Sequence, residues 1–166
     1  MKAIIIIPVI IMIILILLFG LGRSPEPIIQ PLLFNHKVHI VDQDMDCETC
    51  HAQVSIHARA TLPSVKTCKK CHSQPLTNST VESELLAYIS KSAEIPWSRI
   101  YEVPDHVYFS HRRHVTLGNV KCETCHGNVQ ELAEPAEYPL VAVKMDNCMK
   151  CHEEHQITND CLACHR

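Results

Sequence analysis

All ten cysteines of this 166-residue chain fall in pairs separated by two residues, and a histidine follows every pair. The five C-x-x-C-H units are Cys47/Cys50/His51, Cys68/Cys71/His72, Cys122/Cys125/His126, Cys148/Cys151/His152 and Cys161/Cys164/His165. Structural zinc takes four ligands, commonly from two such pairs, and five pairs do not divide into sites of that kind. A disulfide framework staples distant segments and has no use for a regular two-residue spacing. A thioredoxin-like redox motif occurs once in a domain. The pattern is instead the sequence form of covalent haem attachment: two thioethers hold the porphyrin and the next residue turns its imidazole onto the iron. Five covalently bound haem c groups are expected, held by the ten cysteines, with His51, His72, His126, His152 and His165 as proximal ligands.

That load of cofactor constrains the fold. With three Phe and one Trp, and with much of its apolar content in the first twenty-two residues, the chain is short of material for a side-chain core. The expected fold class is mostly α and irregular: short helices and loops wrapped round haems, little sheet, and one N-terminal transmembrane helix.

A second pattern occurs twice. F-N-H-K-V-H precedes the first motif and F-S-H-R-R-H the third, and in both copies eleven positions separate the first histidine (His36, His111) from the first cysteine (Cys47, Cys122). C-E-T-C-H closes both copies, and duplication accounts for this better than chance. Seven of the twelve histidines lie outside the motifs: His36, His39, His57, His106, His111, His114 and His155. The paired His36, His39, His111 and His114 are expected as distal iron ligands. The first of each pair would most simply serve the following haem, and the second a neighbouring one. His155 is the fifth candidate and His57 its close rival, while His106 reads as structural. Met45, Met145 and Met149 are the alternative at one iron.

Ala3–Leu21 is almost unbroken Ile, Leu, Val and Met. At ~1.5 Å per residue it is long enough for a ~30 Å hydrocarbon core. An uncleaved membrane anchor over residues 1–22 is favoured over a cleaved signal peptide, whose apolar region would be shorter. Three prolines between Ser24 and Pro31 make residues 23–31 a semi-rigid spacer. Residues 32–75 then form a dihaem module, 76–104 a connecting segment, and 105–166 a trihaem module. Within the connection, Val81, Leu85, Leu86, Ile89 and Ala93 share a helical face, predicting a helix from about Thr80 to Ser92 that covers a haem edge and stops before Pro96. The formal charge of −3 and the lack of a basic run argue against a nucleic-acid partner. In bacteria, covalent haem attachment is completed outside the cytoplasmic membrane, so the haem domain is expected in the periplasm.

Two imidazoles saturate a haem iron and leave no position for substrate, so bis-His haems in close succession are electron carriers, at comparatively low potential. No catalytic residue is expected. A multihaem reductase would need an open iron, and all five motifs here end in His. The alternative is a stand-alone, membrane-anchored quinol dehydrogenase of the small multihaem type.

The [F/Y]-x-H-x-x-H block before C-x-x-C-H resembles the class III multihaem cytochromes c. Over residues 32–152, the runs V-K-T-C-K-K-C-H-S, I-P-W-S-R-I-Y-E-V-P-D-H-V-Y-F-S-H-R-R-H-V and V-K-C-E-T-C-H-G-N-V resemble the pentahaem cytochrome subunit of alternative complex III and related quinone-linked respiratory complexes. The resemblance implies a membrane-attached periplasmic electron conduit, working beside an iron–sulfur protein and quinone-binding membrane subunits. It also implies His36, His39, His111 and His114 as distal ligands. The chain departs from that pattern at C-H-E-E-H-Q-I-T-N-D-C-L-A-C-H-R, where the fifth motif follows hard on the fourth.

Overall fold

A computed structural model of the chain describes Met12 and residues 25–165. Apart from Met12, the apolar stretch expected to anchor the chain lies outside the described residues. Among the described residues, no helix is long and apolar enough to cross a membrane.

Five of the helices carry the cysteine motifs. They are α1 (Cys47–Cys50), α2 (Val65–Lys69), α4 (Cys122–His126), α5 (Met145–Glu154) and α6 (Cys161–Cys164); α3 (Thr80–Ser90) is the connecting helix. The helical turn suits the motif because residues three apart share a face, which turns both sulfurs to the same side. The backbone N–H of the motif histidine closes the turn onto the first cysteine's carbonyl, at 2.9 Å for His51 and His72 and 2.8 Å for His165. Two π-helical turns, Val38–Asp42 and Arg113–Leu117, and a 3-10 turn at Val129–Glu131 complete the regular structure. The described residues form no strand, and their one isolated β-bridge joins Val107 to His165 in antiparallel sense.

Helix α3 starts at Thr80, as the sequence predicts, and stops two residues early, at Ser90; Ser79 is its N-cap. Glu82, three residues on, fits a capping-box spacing, but its carboxylate reaches back beyond the cap to accept from the backbone N–H groups of Leu76 (2.9 Å) and Thr77 (2.6 Å). The helix ends before Pro96 is met because Ser92 takes φ 49. The Ser92 N–H then bonds to Ile89 O and the Ala93 N–H to Tyr88 O, the paired bonds of a Schellman ending. Of the expected apolar face, Ile89 is buried, with Glu82 on the same side.

The side-chain core is small. Leu32, Val54, Val65, Ile89 and Ile95 are the buried apolar residues, and no described side chain is completely enclosed. Sixteen large apolar residues from Met12 to Leu162 stay exposed, where a domain of this length ordinarily gathers such groups into one interior. The two halves are interlocked by backbone bonds instead. His111 N–H bonds to Ala58 O and Arg112 N–H to His57 O, while Lys37 N–H bonds to Leu132 O. Thr116 donates its hydroxyl to Ser55 O at 2.6 Å, and the Trp97 indole N–H reaches Pro63 O at 3.0 Å.

Candidate functional site

The two H-x-x-H blocks fold alike, for a local reason. Asn35 and Ser110 precede the first histidine, and each side-chain oxygen accepts the backbone N–H three residues on, Val38 at 2.9 Å and Arg113 at 3.4 Å. That starts a helical turn. Each turn then widens into a π-helical segment, a feature frequent at functional sites. Asp44 and Asn119, eight residues past the first histidine of each copy, both take φ 51 and end the block. One phenylalanine organises each pair. Phe34 stacks on His39 at 4.5 Å and sets its edge to His36 at 4.8 Å. Phe109 repeats this on His114 at 4.7 Å and His111 at 4.8 Å.

The upstream imidazoles meet motif imidazoles. His39 faces His72 with ring centroids 6.1 Å apart, His111 faces His126 at 6.3 Å, and His114 faces His152 at 6.1 Å. His36 is half-buried near His51. In each copy the first histidine therefore sits with the motif that follows it and the second with the motif after that. A fourth facing pair joins His106 to His165 at 5.5 Å. Among the described residues, His57 and His155 meet no second imidazole; their backbone N–H groups bond to Gln53 O and Cys151 O, and Arg112 N–H bonds to His57 O. Met145 and Met149 are exposed.

These residues fit a haem iron. Two metal–nitrogen bonds of about 2.0 Å, plus roughly 1.1 Å from each nitrogen to its ring centre, put the imidazoles on one metal about 6.2 Å apart. Three of the facing pairs stand at that separation. The protons are placed to match. Nδ1 lies 2.8 Å from a backbone carbonyl in His39 (Asn35 O), His51 (Thr61 O) and His114 (Ser110 O), and 3.1 Å from one in His152 (Thr158 O). In His72 it lies 2.8 Å from the Glu82 carboxylate. A carbonyl can only accept, so Nδ1 carries the proton and Nε2 keeps its lone pair for a metal. His36 departs from this pattern: its buried Nδ1 has no hydrogen-bond partner among the described residues. Among the described residues, no three His, Cys, Asp or Glu donors converge on one point. The imidazoles meet in twos, as two faces of a porphyrin require.

Burial, with His51 and His39 close by, holds the His36 imidazole down at about 4. Burial also lowers His111 and His126, each helped by neighbouring histidines. Neutral imidazole is the form that binds iron. The ten cysteines are all free of disulfides, and burial raises the thiols of Cys50, Cys68, Cys122, Cys125 and Cys148. Neighbouring thiols add to burial: Cys71 acts on Cys50, Cys50 on Cys68, Cys47 on Cys122, Cys151 and Cys148 on Cys125, and Cys164 on Cys148. The second motif thus neighbours the first, the first the third, the third the fourth, and the fourth the fifth. Beside Cys50 opens a cleft of about 750 Å³ lined by Gln53, His57, Arg59, Pro63 and Thr67 among others.

His106, which reads as structural in the sequence, stands outside any H-x-x-H pair, and the imidazole it meets is at the far end of the chain. The run Val107-Tyr108-Phe109 after Pro104 was the available signal, since β-branched and aromatic residues favour the extended pairing it makes with the last motif.

Comparison with known proteins agrees with this chemistry. Residues 107–166 match the family of cytochrome c7 and related cytochrome c, and residues 22–96 match the class III cytochrome C family. The chain is also similar to the menaquinone reductase, multiheme cytochrome c subunit, of Nitratidesulfovibrio vulgaris (strain Hildenborough). The two are 31% identical over 178 residues, which covers 90% of this chain and 85% of that one. With motifs, paired imidazoles and relatives in agreement, the chain belongs to the class III and c7-type multihaem cytochromes c.

Proposed function

We propose that this protein is a membrane-anchored periplasmic pentahaem cytochrome that relays electrons between a quinone-linked membrane complex and periplasmic partners. One observation carries the reading above all: motif histidines face upstream histidines at the separation one shared iron requires. Haem c, when bound, supplies reversible one-electron chemistry at its iron. The chain's residues do the rest. The ten cysteines of the five motifs fix the macrocycles, the five motif histidines ligate one side, and His36, His39, His111 and His114 ligate the other. Carbonyl and carboxylate partners at Nδ1 lock the ring orientations.

With both axial positions taken by imidazole, an iron has no place for substrate, which favours transfer over catalysis by this chain itself. The succession of neighbouring motifs suits a relay through a dihaem module (residues 32–75) and a trihaem module (105–166). The name of the Nitratidesulfovibrio relative, a subunit of a menaquinone reductase, favours partners of the same kind: a quinone-binding membrane protein and other redox subunits. Ala3–Leu21 would hold the chain to the membrane.

Gentle detergent extraction of the native protein, with mass spectrometry of what travels with it, tests this function. Co-purifying polytopic membrane subunits and a further redox subunit are expected. A protein that leaves the membrane alone and is itself reduced by quinol would point to a stand-alone quinol dehydrogenase instead.

A further inference from the structure

Resting on the haem-binding reading above, we infer that His106 is the distal axial ligand of the fifth haem, opposite His165. The pair repeats the relation of the other facing pairs: a motif histidine and an upstream histidine, here with centroids 5.5 Å apart and planes 23° from parallel. The separation is somewhat under the about 6.2 Å that a shared metal sets, so seating the iron asks for an opening of well under 1 Å.

The backbone explains why the two rings meet. Val107 forms an antiparallel bridge with His165, and the Tyr108 N–H donates to Cys164 O at 2.8 Å. An extended segment just after Pro104 is thus zipped onto the last attachment motif, and His106 arrives over the same side as His165. The same segment runs on into Phe109 and the second H-x-x-H block, so one stretch of chain from His106 to His114 presents three imidazoles to three consecutive motifs.

The other two unpaired histidines lack such a relation. His155 follows the end of α5, its backbone N–H bonded to Cys151 O, and His57 follows α1, its N–H bonded to Gln53 O. Among the described residues, neither ring meets an imidazole. The fifth site therefore takes its distal ligand from the start of the trihaem module rather than from the short link between the fourth and fifth motifs. That ties the C-terminus back across the module it closes.

The test uses the full-length holoprotein and three substitutions, His106→Ala, His155→Ala and His57→Ala, with His106→Met in case the alanine variant does not accumulate. Haem content by intact mass, low-temperature electron paramagnetic resonance of the oxidised protein, and carbon monoxide binding to the reduced protein are read from each sample. In H106A, one haem in five is expected to turn high-spin and to bind one equivalent of carbon monoxide, and added imidazole should restore the low-spin signal. H106M should show one haem with a His/Met signature. H155A and H57A should keep every haem low-spin. Carbon monoxide binding that appears in H155A or H57A, or H106 variants spectroscopically identical to wild type, would overturn the assignment. A wild-type mass short of five haems would instead strike the underlying haem reading, so the two failures are distinguishable.

Discussion

Nδ1 of His72 lies 2.8 Å from Oε1 of Glu82, and this carboxylate is the one anionic partner among the Nδ1 contacts of the motif histidines. Where His51 and His152 lean on backbone carbonyls, His72 leans on a charge. Glu82 is held in place from three further directions, by the Thr77 hydroxyl, the Thr77 N–H and the Leu76 N–H. A carboxylate behind an axial imidazole makes it a stronger donor and favours the oxidised metal.

Replacing that charge should therefore be visible in one haem. The Glu82→Gln variant is expected to raise the potential of the haem on Cys68 and Cys71 by roughly tens of millivolts and leave the others near their wild-type values. Potentiometric titration of wild type and variant in parallel checks this. A uniform shift of all haems, or none, would contradict it.

Acid should loosen the fold through one carboxylate. Glu82 is lowered from 4.5 to about 2, first by the Thr77 hydroxyl, then by the Leu76 N–H and His72. Its contribution is present above 4.5 and is lost on the way down to about 2. Thermal melts across this range should show stability falling as pH drops below about 4.5, and E82Q should erase that fall.

Gly127 follows the third motif with φ 68, and a Cβ there would stand 2.9 Å from Cβ of Leu140. Both the backbone conformation and the space call for glycine. Gly127→Ala is expected to cost about 1–3 kcal/mol, seen as a lowered melting temperature, with haem content unchanged.

The phenylalanines that brace the distal pairs are testable as well. Phe109→Leu keeps bulk but removes the stack on His114 and the edge contact to His111. A loss of about 0.5–1.5 kcal/mol is expected, with altered resonance signals from two haems rather than one. A change confined to one haem would mean that the ring does not brace both histidines.

How much of this was legible in the sequence varied with the range of the interaction. The cysteine helices and the two H-x-x-H turns are local, and the residues that make them (Asn35, Ser110, the phenylalanine, the spaced histidines) sit within a few positions of one another. The stop of α3 was also local but unmarked: a serine in the left-handed region ended the helix, and Pro96 was the louder, wrong signal. Which imidazole meets which was readable in part: the spacing already set the first histidine of each block on the following motif and the second on a neighbouring one. That the neighbour is the motif after next, and that His106 meets His165, comes from contacts that loop closure brings together, and spacing alone favoured His155, which lies nearer in sequence to the fifth motif. The small side-chain core was visible beforehand in the scarcity of large apolar residues. The apolar N-terminal stretch remains a sequence argument.

On the proposed reading, five haems fill the places between these imidazoles and cysteines. Intact mass spectrometry of the native protein under denaturing conditions puts this to the test, since thioether bonds survive and axial bonds do not. The expected mass is that of the polypeptide plus five haems, with none lost on denaturation. A mass with fewer haems, or haem that dissociates on unfolding, would sink the pentahaem reading.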